Sequence, residues 1–347
     1  MYLQSNAIRY LLDLIYLTRF HLVVRRKLQG VGCILFFHRV QPIQINKRAF
    51  NPNIDLTVTP EFLSHCVRYF LNRGWDIINM DMAQQRLQEQ QFDRPFVVFT
   101  FDDGYRDNIE FALPVMQHHG VPFTIYVTTG FIDGWYQPWW IIIAELIKKN
   151  EEIIIDEGNG RVCLSLSTSN RKNQVFKRIR HYIVSHNVNE SQKMIEDLYR
   201  YYDIDPVERG RHLMLSWDEI DRLAEAGVEI GAHGVSHLPL SLLSTEKLQR
   251  ELGESRRRLE NRIVKKINHF CYPFGGKGDC GDREFDAVRC AGYQTAVTTC
   301  KAHLSTRHRN HLFCLPRLMV KGSQQHEKYL DLLISGVTGL IYHGYSG

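Results

Sequence analysis

The stretch Pro95-Phe96-Val97-Val98-Phe99-Thr100-Phe101-Asp102-Asp103-Gly104-Tyr105 constrains the fold more than any other part of the chain. Its β-branched and aromatic run lacks the alternation of a half-exposed strand, so it reads as a strand buried on both faces, the kind found in parallel sheets flanked by helices. The run ends abruptly in two carboxylates and a glycine. That places them at the carboxyl edge of the sheet, where α/β folds gather their chemistry. Neighbouring side chains on an extended or turning backbone point apart, so Asp102 and Asp103 can serve different centres, such as a proton and a metal. Taken alone, the same residues also describe a strand followed by a solvated Asp-Asp-Gly turn.

The flanking sequence supplies the rest of a parallel fold. Val31 to Phe37 is a short apolar strand ending in His38-Arg39-Val40. Pro60 opens an amphipathic helix stopped at Gly74, a strand at Trp75 to Ile78 and a helix near Asp81 to Gln90 follow, and the central strand comes next. A helix over 109–119 and a strand from Phe123 to Thr128 complete an order β, α, β, α, β, α, β, which predicts a parallel sheet or barrel with helices outside. The rhythm breaks over 133–210, where the cluster Trp135, Tyr136, Trp139, Trp140 precedes a helix near 139–149, a strand pair near 152–155 and 161–166, and helices near 170–185 and 190–202. It resumes with the capping box Ser216-Trp217-Asp218-Glu219 and a strand ending in His233-Gly234-Val235-Ser236-His237. A helix at 244–263, a strand stopped by Pro273-Phe274-Gly275-Gly276, a helix at 283–291 and strands at 293–298 and 313–320 close the series. The expected division is an amphipathic helix in 1–30, a barrel in two parts (31–132 and 211–322), an insertion or cap at 133–210, and a C-terminal helix and tail at 323–347.

Composition narrows the classes. A net charge of +5 over 347 residues gives no case for nucleic-acid binding. Eight cysteines without a CxxC pair, several inside apolar runs, suggest reduced, buried thiols. No segment reaches the roughly 18 uninterrupted apolar residues of a membrane span, and the N-terminus lacks a basic region and a small-residue cleavage site. A cytoplasmic protein is expected. The stretch 7–28 carries an amphipathic pattern with a basic end, Arg25-Arg26-Lys27, which fits either packing on the core or peripheral contact with the inner face of a membrane.

Two histidines four apart can face one cation if the backbone curls after the strand, and with Asp103 they make a two-nitrogen, one-oxygen set suited to Zn²⁺ or a similar divalent ion. Thr100-Phe101-Asp102-Asp103-Gly104, His233-Gly234-Val235-Ser236-His237 and Tyr272-Pro273-Phe274-Gly275 resemble the first three motifs of the polysaccharide deacetylases, the NodB-homology or carbohydrate esterase family 4 group. The resemblance covers roughly residues 31–130 and 211–322. It implies an incomplete, distorted (β/α) barrel of about seven parallel strands, and an enzyme that removes the acetyl group from an N-acetylated amino sugar. By the same resemblance Asp103, His233 and His237 hold a divalent metal ion, with Zn²⁺ expected and Co²⁺, Mn²⁺ or Ni²⁺ as alternatives. Asp102 is then the general base, the Tyr105 backbone amide an oxyanion donor, and Pro273, Phe274 and Gly275 border the substrate.

Two departures from the family pattern stand out. Cys271 occupies the position of an arginine that orients the catalytic aspartate, and the candidate to replace it is Arg317, whose fork can grip a carboxylate; a surface arginine after Pro316 is the plainer alternative. The general acid usually comes from a late Leu-x-His motif, but Tyr342-His343 has no matching neighbours, so His38 is assigned as the acid, as in the branch with this histidine on the first strand; a histidine merely packed at a strand end is the plainer alternative. Trp135, Trp139 and Trp140 fit a sugar-stacking wall or core packing equally, whereas Asp279 and Asp282 fit turn positions. The missing arginine keeps open a non-catalytic carbohydrate-binding protein on a degenerate barrel. Release of formyl or O-acetyl groups from a lipid-linked sugar is chemically close to the main reading. The expected substrate is an intermediate of surface-polysaccharide or glycolipid synthesis, nucleotide-linked or lipid-linked.

Overall fold

The central strand Phe96–Phe101 (β3 of the sheet) is fully buried and pairs on both sides, as its unbroken apolar run requires. The computed structural model describes residues 2–43, 49–158, 160–337 and 339. Around β3 lie β1 (Gly32–Phe37), β2 (Asp76–Ile78), β4 (Thr124–Val127), β5 (Glu229–Ala232), β6 (His269–Cys271), β7 (Thr295–Val297) and β8 (Leu318–Met319). The spatial order is β7-β6-β5-β4-β3-β1-β8, with β2 added beside the start of β3, and all pairings are parallel. One parallel bridge, Val297 to Leu315, joins the two ends. The result is an incomplete (β/α) barrel, as expected.

β1 and β3 run in register from Gly32–Phe96 to Phe37–Phe101. Gly32 is required there, since a Cβ would sit 2.6 Å from the Phe96 carbonyl oxygen. Alternation divides the side chains. Leu35, Phe37, Val97, Phe99 and Phe101 join the helix-facing core, whereas Ile34, Val98, Tyr126, Cys271 and Val297 form a separate cluster on the barrel's inner face. Helices on the outer layer start at side-chain caps: Thr59 before Pro60–Leu71, and Ser216 with Glu219 in the predicted capping box before Trp217–Glu225.

Residues after β4 form the helix Trp139–Lys149, the hairpin Glu152–Asp156 with Arg161–Ser165, and the helices Ser169–Ser185, Val188–Tyr201 and Pro206–Leu213. Their apolar cluster includes Ile143, Ile153, Phe176 and Leu198, and it also takes in Tyr105 and Phe131 from the barrel. This packing ties the extra elements to the carboxyl edge of the sheet.

Three expectations are corrected in detail. The N-terminal amphipathic stretch is two helices, α1 (Tyr2–Leu17) and α2 (Phe20–Leu28), because Arg19 adopts a left-handed conformation (φ 55°) and His21 folds back to stack on Tyr16 at 5.1 Å. The helix expected over 109–119 begins as a π-helical turn, Asn108–Ala112, before Leu113–His118; Pro114 lacks an N–H and its ring crowds the preceding turn, which the wider turn relieves. The strand expected over 313–320 pairs as a ladder only at Leu318–Met319, since Pro316 cannot donate. Among the described residues no helix is long and apolar enough to cross a membrane. The pair Tyr342-His343 and the end of the expected C-terminal tail lie outside the described residues.

Candidate active site

Residues 98, 100 and 102 share one face of β3 and its extension, so Asp102 turns toward the barrel interior. Arg317, next to β8 and fully buried, meets it there. Its Nη1 donates to Asp102 Oδ1 at 2.7 Å and its Nη2 to Oδ2 at 2.8 Å, a bidentate fork. The remaining donors are placed as well: Nε to the Thr298 carbonyl at 3.0 Å, Nη1 to Thr100 Oγ1 at 3.2 Å, and Nη2 to Cys271 Sγ at 3.0 Å. The guanidinium therefore packs against Cys271, the residue that the sequence resemblance sets at the position of an arginine. Burial alone would raise the Asp102 carboxyl, but the Arg317 charge and hydrogen bonds outweigh it and hold the group below the usual carboxylate range.

Asp103 points elsewhere because the chain turns sharply, with φ of 74° at Asp103 and 82° at Gly104. Its Oδ1 lies 3.4 Å from His233 Nε2 and 3.1 Å from His237 Nε2. The same oxygen is buried without a hydrogen-bond partner among the described residues. His233 Nδ1 sits 2.6 Å from the Cys271 carbonyl, which can only accept, so Nδ1 carries the proton and Nε2 presents a lone pair. His237 is wedged among Trp140, Phe274 and Phe131, with ring centroids 4.8, 5.0 and 5.6 Å away. The curl between the two histidines is fixed from outside: Glu251 Oε2 accepts from the Val235 and Ser236 amides at 2.7 and 3.0 Å, and Thr129 and Gly130 donate to Gly234 and Val235. Three ligand atoms within 4.8 Å of one another, one of them an orphaned buried carboxylate oxygen, fit a divalent cation.

His38 and Phe274 join Asp102, Asp103, His233 and His237 in the lining of one cavity of about 440 Å³ at the carboxyl edge, whereas Tyr105 does not line it. Burial pulls the His38 imidazole below its ordinary range, and the two aspartates partly oppose this. Its Nδ1 has no partner among the described residues. Tyr105 bridges Met214, but the bridge bonds run from Arg106 to Leu213 and from Leu215 to Gly104, which leaves the Tyr105 N–H out of them. Its phenol accepts from Trp140 Nε1 at 2.9 Å. In the third motif Phe274 lines the cavity together with Tyr272, whereas Pro273 and Gly275 are not among the lining residues. Gly275 serves the backbone instead, with φ of 62° and a Cβ position only 3.0 Å from Thr299 N and Tyr272 O.

Trp139 and Trp140 line the cavity, but Trp135 is 61% exposed and packs under Arg258. Asp279 accepts from the Gly276 amide, a turn role, and Asp282 begins the helix Asp282–Cys290. Sequence reasoning missed Glu251, Arg180, Lys301 and Lys321, the last three of which line the cavity. Another acidic and histidine group, Asp81, Glu229 and His269, is satisfied internally: Glu229 accepts from the Met80 and Asp81 amides, and His269 bonds Asp81.

Comparison with known proteins bears on the family and the fold. The profile of a family described as polysaccharide deacetylase matches residues 89–296. The Bacillus subtilis (strain 168) protein YxkH, which carries the same description, is 21% identical over 240 residues, 69% of this chain. The chain spans 57% of that relative's length. The fold is shared with the Streptococcus pyogenes deacetylase PplD, solved with acetate, at a TM-score of 0.56 and 15% identity over 87% of this chain and 97% of that one. A de-N-acetylase from Aggregatibacter actinomycetemcomitans gives 0.55 and 14% over 86% and 98%.

Proposed function

Because the chain belongs to the polysaccharide deacetylase family, we propose that it is a metal-dependent hydrolase that removes the acetyl group from an N-acetylated amino sugar. The observation that carries this reading is the opposite treatment of two adjacent carboxylates. Asp102 is gripped by an arginine fork, and Asp103 faces two imidazole Nε2 atoms without a hydrogen bond to either.

Asp103, His233 and His237 would hold a divalent cation, with Zn²⁺ the first candidate from the nitrogen-rich donor set. Such an ion supplies a positive charge that makes water more acidic and an acyl carbonyl more electrophilic. The protein residues do the rest. Asp102 stays ionised at neutral pH and, held by Arg317 at both oxygens, takes the proton of the attacking water as it adds to the acyl carbon. The Tyr105 N–H, unused in its bridge, is the donor for the developing oxyanion. His38, lining the same cavity, gives a proton to the amine nitrogen as the carbon–nitrogen bond breaks and acetate forms; burial favours its neutral form at rest, so that proton is one it takes up, from solvent or from Asp102, within the turnover. Trp139 and Trp140 offer aromatic faces for the sugar ring.

The competing reading, a non-catalytic carbohydrate-binding barrel, drew its support from the cysteine at 271; the Arg317–Asp102 pair weakens that basis. The test is an acetate- and formate-release assay over free, nucleotide-linked and lipid-linked N-acyl sugars with a series of metals. Acetate release that a chelator abolishes and a divalent metal restores supports the proposal. Sugar binding without any acyl release by the metal-loaded protein refutes it, and release of formate in preference to acetate shifts the reaction to deformylation.

A further inference from the structure

The N-terminal helices form a second layer over the helix Glu327–Ile334. α1 and α2 touch each other, and both rest on that helix. At 3.6 residues per turn Leu12, Ile15 and Tyr16 fall on one side of α1, and they join Leu332, Val337 and Val24 of α2 in one apolar cluster. Tyr10, Leu14 and Leu17 fall on the opposite side and are 74%, 58% and 78% exposed. In α2 the buried His21 and the packed Val24 face inward, whereas Phe20, Leu22 and Val23 are exposed. Both helices turn their inner sides to the same helix, so their outer sides look the same way.

The exposed apolar residues make a patch. Fifteen large apolar side chains are exposed among the described residues, and seven of them fall between residues 10 and 23. Single exposed apolar side chains are ordinary on a protein surface, but a contiguous group marks a surface that something covers.

The charges around the patch have one sign. Arg19 and Lys27 are exposed and hold no ion pair among the described residues. Arg25, half-buried with its Nε on Gln29 Oε1, is not counted with them. Asp13 is the single carboxylate before residue 55, and Lys328 Nζ takes it at 2.6 Å. The supporting helix carries Glu327 and Asp331, both paired with Arg73, and residues 332–347 contain no Asp or Glu. An apolar face edged by cations suits a helix lying in the surface of an anionic bilayer, where the apolar side enters the acyl boundary and the cations meet lipid phosphates. A second copy of this chain fits the face less well. A twofold contact sets the same surface against itself, which would gather the cations of both copies with no free carboxylate between them.

We propose that α1 and α2 dock this protein on anionic lipid surfaces, with Leu14, Leu17 and Val23 in the acyl boundary and Arg19 and Lys27 against headgroup phosphates. The docked face lies close to the catalytic cavity. Leu12, on the inner side of α1, lines a small groove together with Met319 and Lys321, and both of those also line the catalytic cavity. One helix diameter, about 10 Å, separates that groove from the lipid side of α1. The inference is independent of the reaction carried out in the cavity.

The test uses the full chain and sedimentation with vesicles. Wild type should bind vesicles of equal parts phosphatidylcholine and phosphatidylglycerol at least about tenfold more tightly than vesicles of phosphatidylcholine alone, since each cation at an anionic surface is worth severalfold. Leu14→Glu/Leu17→Glu should lose about tenfold or more on the anionic vesicles, and Arg19→Gln/Lys27→Gln should lose most of the preference between the two kinds. Leu242→Glu/Val264→Glu, which places the same charges on apolar residues exposed elsewhere, should bind like the wild type. If Leu14→Glu/Leu17→Glu lowers the thermal midpoint, Leu17→Ser/Val23→Ser reads the same face without added charge and should weaken binding in the same direction. A wild type left in the supernatant with both vesicles overturns the proposal, as does an equal loss in Leu242→Glu/Val264→Glu. Binding that ignores lipid charge overturns the anionic assignment. Sedimentation velocity without lipid tests the competing occupant: a wild-type dimer that Leu14→Glu/Leu17→Glu dissociates, with no vesicle binding, assigns the face to a second copy and overturns the proposal.

Discussion

Replacing Arg317 with methionine removes the fork that holds Asp102 while keeping an unbranched side chain in the same space. Five contacts go with it: two to the carboxylate and one each to Thr298, Thr100 and Cys271. The residue is fully buried, so no water is at hand to replace them. Breaking a buried ion pair from one side costs about 3–5 kcal/mol, because the other charge is left buried without its partner. That is a large share of a typical domain's stability, about 5–15 kcal/mol.

The pH dependence of this loss separates it from a simple packing defect. In the wild type the Asp102 carboxyl is held below its usual value of 3.8, so the pair's contribution is complete above that pH and fades as pH falls through the depressed value. Without Arg317 the main opposition to burial is gone, leaving only the weaker pull of His233 and His38, and the carboxyl rises from its wild-type position. The variant's Asp102 then costs stability above pH 3.8, and the cost vanishes as acid protonates it. The gap between wild type and Arg317→Met should be widest near pH 7 and narrower near pH 4. Urea unfolding followed by far-UV circular dichroism at the two pH values measures it, with Asp102→Asn/Arg317→Met as the reference in which no charge is stranded. That double variant should be more stable at pH 7 than Arg317→Met alone. A gap below about 1 kcal/mol at pH 7, the scale of an exposed pair, or one equal at both pH values, would refute the assignment.

Further outcomes follow from the same geometry. Asp102→Asn should lower turnover by about 10²–10⁴-fold, the usual reach of a general base, while metal analysis finds the wild-type content. Cys271→Arg/Arg317→Cys, which moves the guanidinium to the other side of their 3.0 Å contact, should recover part of the acetate release that Arg317→Met loses. Burial holds His303 down to about 4, below the ordinary 6.5; the unfolded chain therefore takes up the proton first, and stability falls as pH drops from 6.5 toward 4. The loss reaches about 3 kcal/mol at the lower end, and a urea series should show a flatter acid slope for His303→Gln.

The parts of the site that lie on one strand end were readable from the sequence. An apolar run ending in Asp-Asp-Gly sets alternation, and alternation sends Asp102 inward toward Arg317 and Asp103 away from it. The contact between Arg317 and Cys271 depends on strands that meet only when the barrel nearly closes, yet a long donor beside a late strand was enough to nominate it. Glu251 was invisible for a different reason: on a long charged helix a glutamate that ties down the His233–His237 turn looks like any solvated one. Lys301 and Lys321 follow strands with no motif, and their proximity to Asp55 arises from segments more than two hundred residues apart. The break at Arg19 has no glycine or proline to announce it; it follows from packing Leu12 and Ile15 beside the helix Glu327–Ile334.

The central claim is that Asp103, with His233 and His237, forms a metal centre on which deacetylation depends. The direct measurement is metal content and acetate release on the same preparations of wild type and Asp103→Ala, before and after chelation. Wild type should carry about one divalent ion, lose activity to the chelator and regain it with added metal, and Asp103→Ala should lose both the ion and the activity. A metal-free Asp103→Ala protein that releases acetate at the wild-type rate would contradict the account.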